Sequence, residues 1–479
     1  MKLTEIAKIP KIWGRNVMPQ PDMTPEQKSM TLLEVLRREK NRYVDRLVPA
    51  AAMSISIRKP EGEDEAEFCV VFNETMEGVG SYEVQAFLTD NCHDALAEKC
   101  GVPVKYYQRC GDHLGAKKSL NEWVDHPADH PLVWNVNFWL SSYGKQRFTI
   151  RMWKDDKGRL LCRAILSDRY RFIDNFTVGF HALTTAGKAL QDQGLQPPEC
   201  FGWNLTEKGL DLMLFSTEMV ADLGDPDPDA QVNMGKWGSH KLSSPAAAAF
   251  RAWRDKGTGS SAQSTNYDKS NDGSGGLRMA TPKGHDRSNG GAPTGLVFGA
   301  VRIRNSETGD GSCQVRGSLM VTMCSNQLMG GFDTFMIHLG KQMGEEIVLR
   351  PETIEKENEL VIAKIRDTIT AMFTREKFQK LVDSVKKTQQ VQIVAAVTAV
   401  QKIAEKVDVL KGLEEEILKM YARRVDQEKD TLYDMVQAVT NVASNMREEY
   451  PHRAYDIENT VSGWITENRY PQSILVAAK

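Results

Sequence analysis

An α+β fold is what this sequence predicts, and three features predict it. Period-two runs at Arg147–Trp153 and Arg159–Leu166 read as strands, joined at Asp155–Gly158 by the turn residues a hairpin needs. Helical spacing governs Pro25–Val48 and Phe176–Gln193. From Pro351 to Trp464 the pattern is almost wholly helical, with Gly412 and Pro451 as the only strong breakers. The expected architecture is an antiparallel sheet with packed helices, a long disordered insertion and an α-helical C-terminal region. At 479 residues the chain exceeds one unit of about 150 residues. The division expected is an N-terminal arm and helix over 1–50, an α+β core over 51–345 and helices over 346–479.

The elements follow in order. Pro10, Pro19, Pro21 and Pro25 break the arm. Thr24 then N-caps a helix that runs to Val48, with Leu32, Leu33, Val35, Leu36, Tyr43 and Leu47 near one face. Ala51–Arg58 and Glu67–Phe72 alternate as strands around the acidic stretch Glu61–Glu67, a solvated hairpin loop. Thr89–Cys100 is a short helix capped by Thr89 or Asp90 and stopped by Gly101, and Pro103–Arg109 begins another. Gly209–Ser216 alternates as a strand. Between 224 and 294 the pattern fails, apart from a short Ala-rich helix at Ser244–Trp253. Residues 256–294 are Gly, Ser, Asn, Asp and Thr with few apolar side chains, too few to offset the entropy of ordering. Gly295–Ile303 and Ser318–Cys324 resume as strands around the turn-rich Asn305–Ser312. In the helical tail Ile393, Val397, Val400, Ala404, Val407 and Ile417 fall near one stripe.

Composition narrows the function. Hydrophobic residues at 41% are too many for a disordered chain, and charged residues at 26% too many for a membrane protein. No apolar run approaches the roughly 18–20 residues that span a bilayer. Lys2, Glu5 and Lys8 stand where a secretory signal needs an apolar core, so export is not expected. Eight cysteines without a CxxC pair fit reduced thiols in a cytoplasm. Cys92 and Cys100 read as small apolar groups along a helix. No phosphate loop, dinucleotide fingerprint or HExxH is present, and no cofactor is expected. His126 and His130 have metal-ligand spacing, but Pro127 and Pro131 make that stretch a solvated turn. Cys324 and His338 follow a strand and form the one weak candidate for a thiolate nucleophile.

The segment Gly101–Asn175 is different. It holds 13 Lys/Arg against 8 Asp/Glu, a local +5 in a chain of net charge −3, and eleven aromatic residues are interleaved with the bases. Single-strand binding needs that mixture, cations for phosphates and flat rings for bases. A strand at Arg147–Trp153 puts Arg147, Thr149, Arg151 and Trp153 on one face and Phe148, Ile150 and Met152 on the other. The competing reading is a half-exposed sheet whose arginines pair with Asp155, Asp156, Asp168 and Asp174.

Leu161–Asn175 (LCRAILSDRYRFIDN) resembles the RAxLSDRYxxxDN signature of a phage- and plasmid-borne family classed as a domain of unknown function. Gly101–Arg109 is similar to its GIPxxYYxR segment and Asn135–Leu140 to its NLNxWL. Val301–Ser312 resembles VxxxNSExGxGS, Cys324-Ser325-Asn326 its CxNG, and His338-Leu339-Gly340 its HxG. Gln327 departs from the family's glycine. The blocks keep family order from about 88 to 345, with weaker similarity at Tyr433–Pro451. The resemblance implies distant kinship with Rad52-like single-strand annealing proteins, which form rings and lay single-stranded DNA along a basic groove.

The resulting expectation is ATP-independent, non-enzymatic binding and annealing of single-stranded DNA by a homo-oligomer in a bacterial host cytoplasm, with no membrane partner. Lys105, Arg109, Arg147, Arg151, Arg163, Arg169 and Arg171 are expected on phosphates, and Tyr106, Tyr107, Trp153 and Tyr170 on bases. The Asn305–Ser312 loop is expected to close a hairpin, as a tight turn or as an anion-binding nest of Gly amides. The alternatives are an interaction protein whose helical tail oligomerises, and a cysteine-dependent enzyme using Cys324 and His338.

Overall fold

The computed structural model describes residues 23–76, 80–111, 119–144, 146–168, 170, 173–223, 296–309, 311–321, 327–329, 335–337, 351–422, 431–446, 451–466 and 469–475. The expected insertion, with its Ser244–Trp253 helix, lies outside them, as do Arg169, Arg171, Cys324 and His338.

The fold is α+β, with two sheets rather than one. The first contains β1 (Tyr43–Pro49), β2 (Met53–Arg58), β3 (Glu67–Met76), β4 (Gly80–Leu88), β5 (Arg147–Lys154) and β6 (Leu160–Ser167), in the order β1-β5-β6-β4-β3-β2. All its pairs are antiparallel except β4 with β6. These pairings make β1 and β2 run in the same direction, although they occupy opposite edges. A flat sheet would separate those edges by five spacings of about 4.8 Å, roughly 24 Å. The Ala50–Ala52 turn that joins them spans about 15 Å at most. The sheet therefore closes on itself. β1 and β2 are two halves of one broken strand, the first paired with β5 and the second with β3, in a five-stranded barrel.

Helices α2 (Asp90–Lys99), α3 (Val104–Gly111) and α4 (Pro131–Ser142) connect β4 to β5 and cap one end of the barrel. Their buried Cys92, Leu96, Tyr107, Leu132, Val136 and Leu140 join Ile55, Phe72, Phe148, Ile150 and Met152 in one core.

The second sheet is antiparallel, in the order β11-β10-β9-β8-β7, from β7 (Glu199–Leu205), β8 (Leu210–Asp222), β9 (Leu296–Asn305), β10 (Cys313–Val321) and β11 (Gln327–Met329). β12 (Phe335–Ile337) also pairs with β10. Helices α1 (Pro25–Lys40), α5 (Asn175–Gln191), α6 (Pro351–Met372) and α7 (Arg375–Gln390) share a core with it. The approach is close: a Cβ on Gly317 would stand 2.7 Å from Met372 Sδ. The remaining helices are α8 (Ala396–Lys406), α9 (Glu414–Ala422), α10 (Leu432–Met446) and α11 (Pro451–Thr466). α11 brings Glu458 to Arg302, which also pairs with Asp211, while Arg302, Arg304 and Arg316 surround the Tyr455 ring.

Several local expectations hold. Thr24 caps α1 in a reciprocal capping box with Gln27, and the Thr89 side chain caps α2. Others change. The first helix ends at Lys40, and Tyr43–Pro49 forms β1, because the β-branched and aromatic residues there pair with β5. His126 lies on the surface, but His130 is buried against Phe68 and Trp123, and its Nδ1 accepts the Leu132 amide as the cap of α4. Val397 leaves the expected stripe and is exposed. The seven described cysteines are free and buried. Among the described residues no helix is long and apolar enough to cross a membrane.

Candidate functional site

Strand alternation in β5 is as the sequence implies, since Phe148, Ile150 and Met152 enter the barrel core and Arg151 and Trp153 point the other way. That second face, however, is covered. The β9–β10 hairpin of the second sheet inserts its loop there, burying Asn305, Ser306, Glu307 and Thr308. Arg151 is 1% exposed and Arg163 0%. The register pairs Arg151 with Ala164 and Met152 with Cys162, which leaves Arg163 as a bulge residue. Glu307 Oε2 lies 3.2 Å from Arg163 Nη1 and 3.6 Å from Arg151 Nη2. Arg151 Nη1 also donates to Asp45 at 2.9 Å, and Arg163 Nη2 to the Glu207 carbonyl at 2.6 Å. Both guanidinium groups lie over the Tyr43 ring. The Asn175 amide donates to Glu307 Oε1 at 2.7 Å, and the Asn305 side chain donates to the Ile173 carbonyl and Asn175 Oδ1.

This cluster is a joint between the two sheets, and it corrects the expectation for its residues. Arg151 and Arg163 are paired in the interior, so neither is placed to meet phosphate from outside. Trp153 is buried, and Tyr170 is half-buried with its hydroxyl towards the Ser306 carbonyl. The loop's polar side chains turn inward, with Gly309 at φ +90° turning the chain, so it is a packed hairpin end rather than an open anion nest. Burial raises the Asp45 carboxyl above its ordinary range despite Arg151 beside it, and raises Glu39 despite Arg38 and Arg42.

The expected residues that reach solvent are elsewhere. Arg147 is exposed, 3.8 Å from Asp168. Lys105, Tyr106 and Arg109 lie outward on α3. Tyr107 is buried, its hydroxyl 2.9 Å from His93 Nδ1, and burial pushes its pKa far up. Against α3 packs α4, whose orientation is fixed by three contacts. His130 caps its start. Leu132, Val133, Val136 and Leu140 enter the core. Asn137 bonds both backbone groups of Ile55 in β2, accepting its amide at 2.7 Å and donating to its carbonyl at 3.0 Å. Trp134 and Phe138 are then forced outward, 61% and 60% exposed, and stack with centroids 5.8 Å apart and planes within 9°. Asn135, between them, meets Cys110 of α3. Tyr106 is 47% exposed. The result is an exposed ring pair on α4, a helix that packs against α3, whose outward side carries Lys105, Tyr106 and Arg109.

Trp134 and Phe138 were not expected as site residues, although their signal is present: they are four apart and out of phase with Leu132, Val133, Val136 and Leu140. Among the described residues no group of His, Cys, Asp and Glu is placed to hold a metal ion. No family model matches the chain, and no curated protein or solved structure matches it significantly.

Proposed function

We propose that this protein binds and anneals single-stranded DNA without ATP, through the α3–α4 surface rather than through a sheet face. The carrying observation is the parallel, solvent-facing Trp134–Phe138 pair on α4, which packs against α3 with its outward Tyr106, Lys105 and Arg109. A buried side chain gains nothing from stacking in the open. An exposed ring offers each base a face worth about 1–3 kcal/mol, and the lysine and arginine supply the attraction to phosphate. The barrel topology agrees. A five-stranded Greek-key barrel with a shared first strand, a parallel pair and helices before the fourth strand is the connectivity of oligonucleotide-binding barrels. Fold alone does not assign function. The outer face of β3 and β4, where such barrels commonly hold a strand, exposes Asn73, Thr75, Ser81, Glu83 and Gln85, with no cation among them.

The test is fluorescence anisotropy of a labelled oligothymidylate across a salt series. Trp134→Ala/Phe138→Ala is expected to weaken binding about thirtyfold, as loss of about 2 kcal/mol of stacking requires. Lys105→Glu/Arg109→Glu should flatten the salt slope by about 1.4, the value for two single-strand phosphate contacts. Absence of binding by the parent protein at low salt overturns the proposal, as does full affinity in the ring variant. If the ring variant changes the oligomeric state and the parent binds no DNA, the surface is a protein-docking face.

A further inference from the structure

The barrel end opposite the helical cap is open. Val44 of β1, Val84 of β4, Met152 of β5 and Leu160 of β6 floor a recess of about 220 Å³ there. The rim is polar. Arg46 Nε donates to Glu74 Oε1 at 2.6 Å, and the Tyr82 hydroxyl donates to Glu74 Oε2 at 2.9 Å, so those three groups satisfy one another across the gap between β1 and β3. Lys154 completes the rim. It is exposed, its side chain passes over Gly158 at the β5–β6 turn, and its ammonium group makes no ion pair among the described residues.

We infer that this recess binds a small amphipathic anion, an apolar body ending in a carboxylate, with the body on the aliphatic floor and the head at Lys154. A concave site with an apolar floor and a few polar groups at its edge is the usual form of a small-molecule site. The charge pattern sets the class. Glu74 is already paired with Arg46, so a cationic head meets no uncompensated negative charge there. The lysine is the group left uncompensated. The site is separate from the α3–α4 surface, which lies at the capped end.

Isothermal titration with octanoate and with octan-1-ol tests it. Octanoate is expected to bind one per chain. Lys154→Glu, a surface change that leaves the core intact, should weaken octanoate about fivefold or more and should bind octylamine better than the parent does. Val84→Trp, which fills the floor, should abolish both octanoate and octan-1-ol binding. Trp134→Ala/Phe138→Ala should leave octanoate binding unchanged, whatever it does to DNA. Failure of the parent to bind octanoate overturns the inference, and so does an affinity indifferent to the charge at 154.

Discussion

Replacing Glu307 by alanine is expected to destabilise the protein by about 4 kcal/mol, the cost of breaking a buried ion pair from one side. The carboxylate is fully buried and lies within 3.2 Å of Arg163 and 3.6 Å of Arg151, while its other oxygen accepts the Asn175 amide. Arg151 keeps Asp45, so its charge stays compensated. Arg163 keeps the Glu207 carbonyl and the Tyr43 ring but loses the carboxylate of its closest ion pair. The Asn175 amide is orphaned as well. Glu307→Gln preserves the shape and the acceptor for Asn175, and should cost about 2 kcal/mol. Combining Glu307→Leu with Arg163→Met removes both charges and should recover most of the loss. Urea unfolding followed by circular dichroism and by tryptophan fluorescence measures all three. Because the pair links the two sheets, the alanine variant should also separate the two signals into distinct transitions. An alanine variant within about 1 kcal/mol of the parent refutes the joint.

Two further outcomes are expected. Glu39 has its carboxyl raised above 4.5 by burial, so the folded state holds that proton more tightly than the unfolded chain does. Its stabilising share is complete below that value and is lost as pH rises through the folded pKa. Glu39→Gln should therefore be near neutral in acid and stabilising, on the order of 1 kcal/mol, in unfolding measured at neutral pH. No gain on going from acid to neutral pH would contradict this. Asn137→Ala removes both bonds to Ile55 and should cost about 1–3 kcal/mol, with faster hydrogen exchange at the Ile55 amide. Unchanged exchange there would mean that α4 does not secure the β2 edge.

The sequence was most legible where local chemistry decides the structure. Thr24 and Thr89 declare helix starts by their own side chains, and the β5–β6 hairpin follows from alternation plus a turn at Asp155–Gly158. It was least legible where partners are distant. Tyr43–Pro49 continues a helical pattern on paper and becomes a strand only because β5 is there to pair with it. Alternation placed Arg151 and Trp153 on one face correctly, but period two says which side chains share a face, never whether water reaches it. The covering loop comes from more than 130 positions away, with Glu307 against Asn175 at a separation of 132. The exposed rings failed to stand out for the reverse reason: Pro127 and Pro131 suggested an extended stretch, whereas Pro131 opens α4, a position where its missing amide costs nothing.

Among the described residues, the motif residues singled out in the sequence separate into two physical groups, and the separation decides which variants bear on function. Arg163, Asn175 and Asn305–Thr308 converge on the joint between the sheets, where each bonds another. Altering them unfolds or loosens the molecule, so a loss of DNA binding in such variants carries no information about contact. Lys105, Tyr106 and Arg109 belong to the second group with Trp134 and Phe138, on helices whose buried sides hold them in place without the exposed side chains. Truncating an exposed ring costs little stability, because the ring is already in water in the folded state. Loss of affinity at unchanged stability in the second group, set against loss of stability in the first, therefore distinguishes a recognition surface from a scaffold.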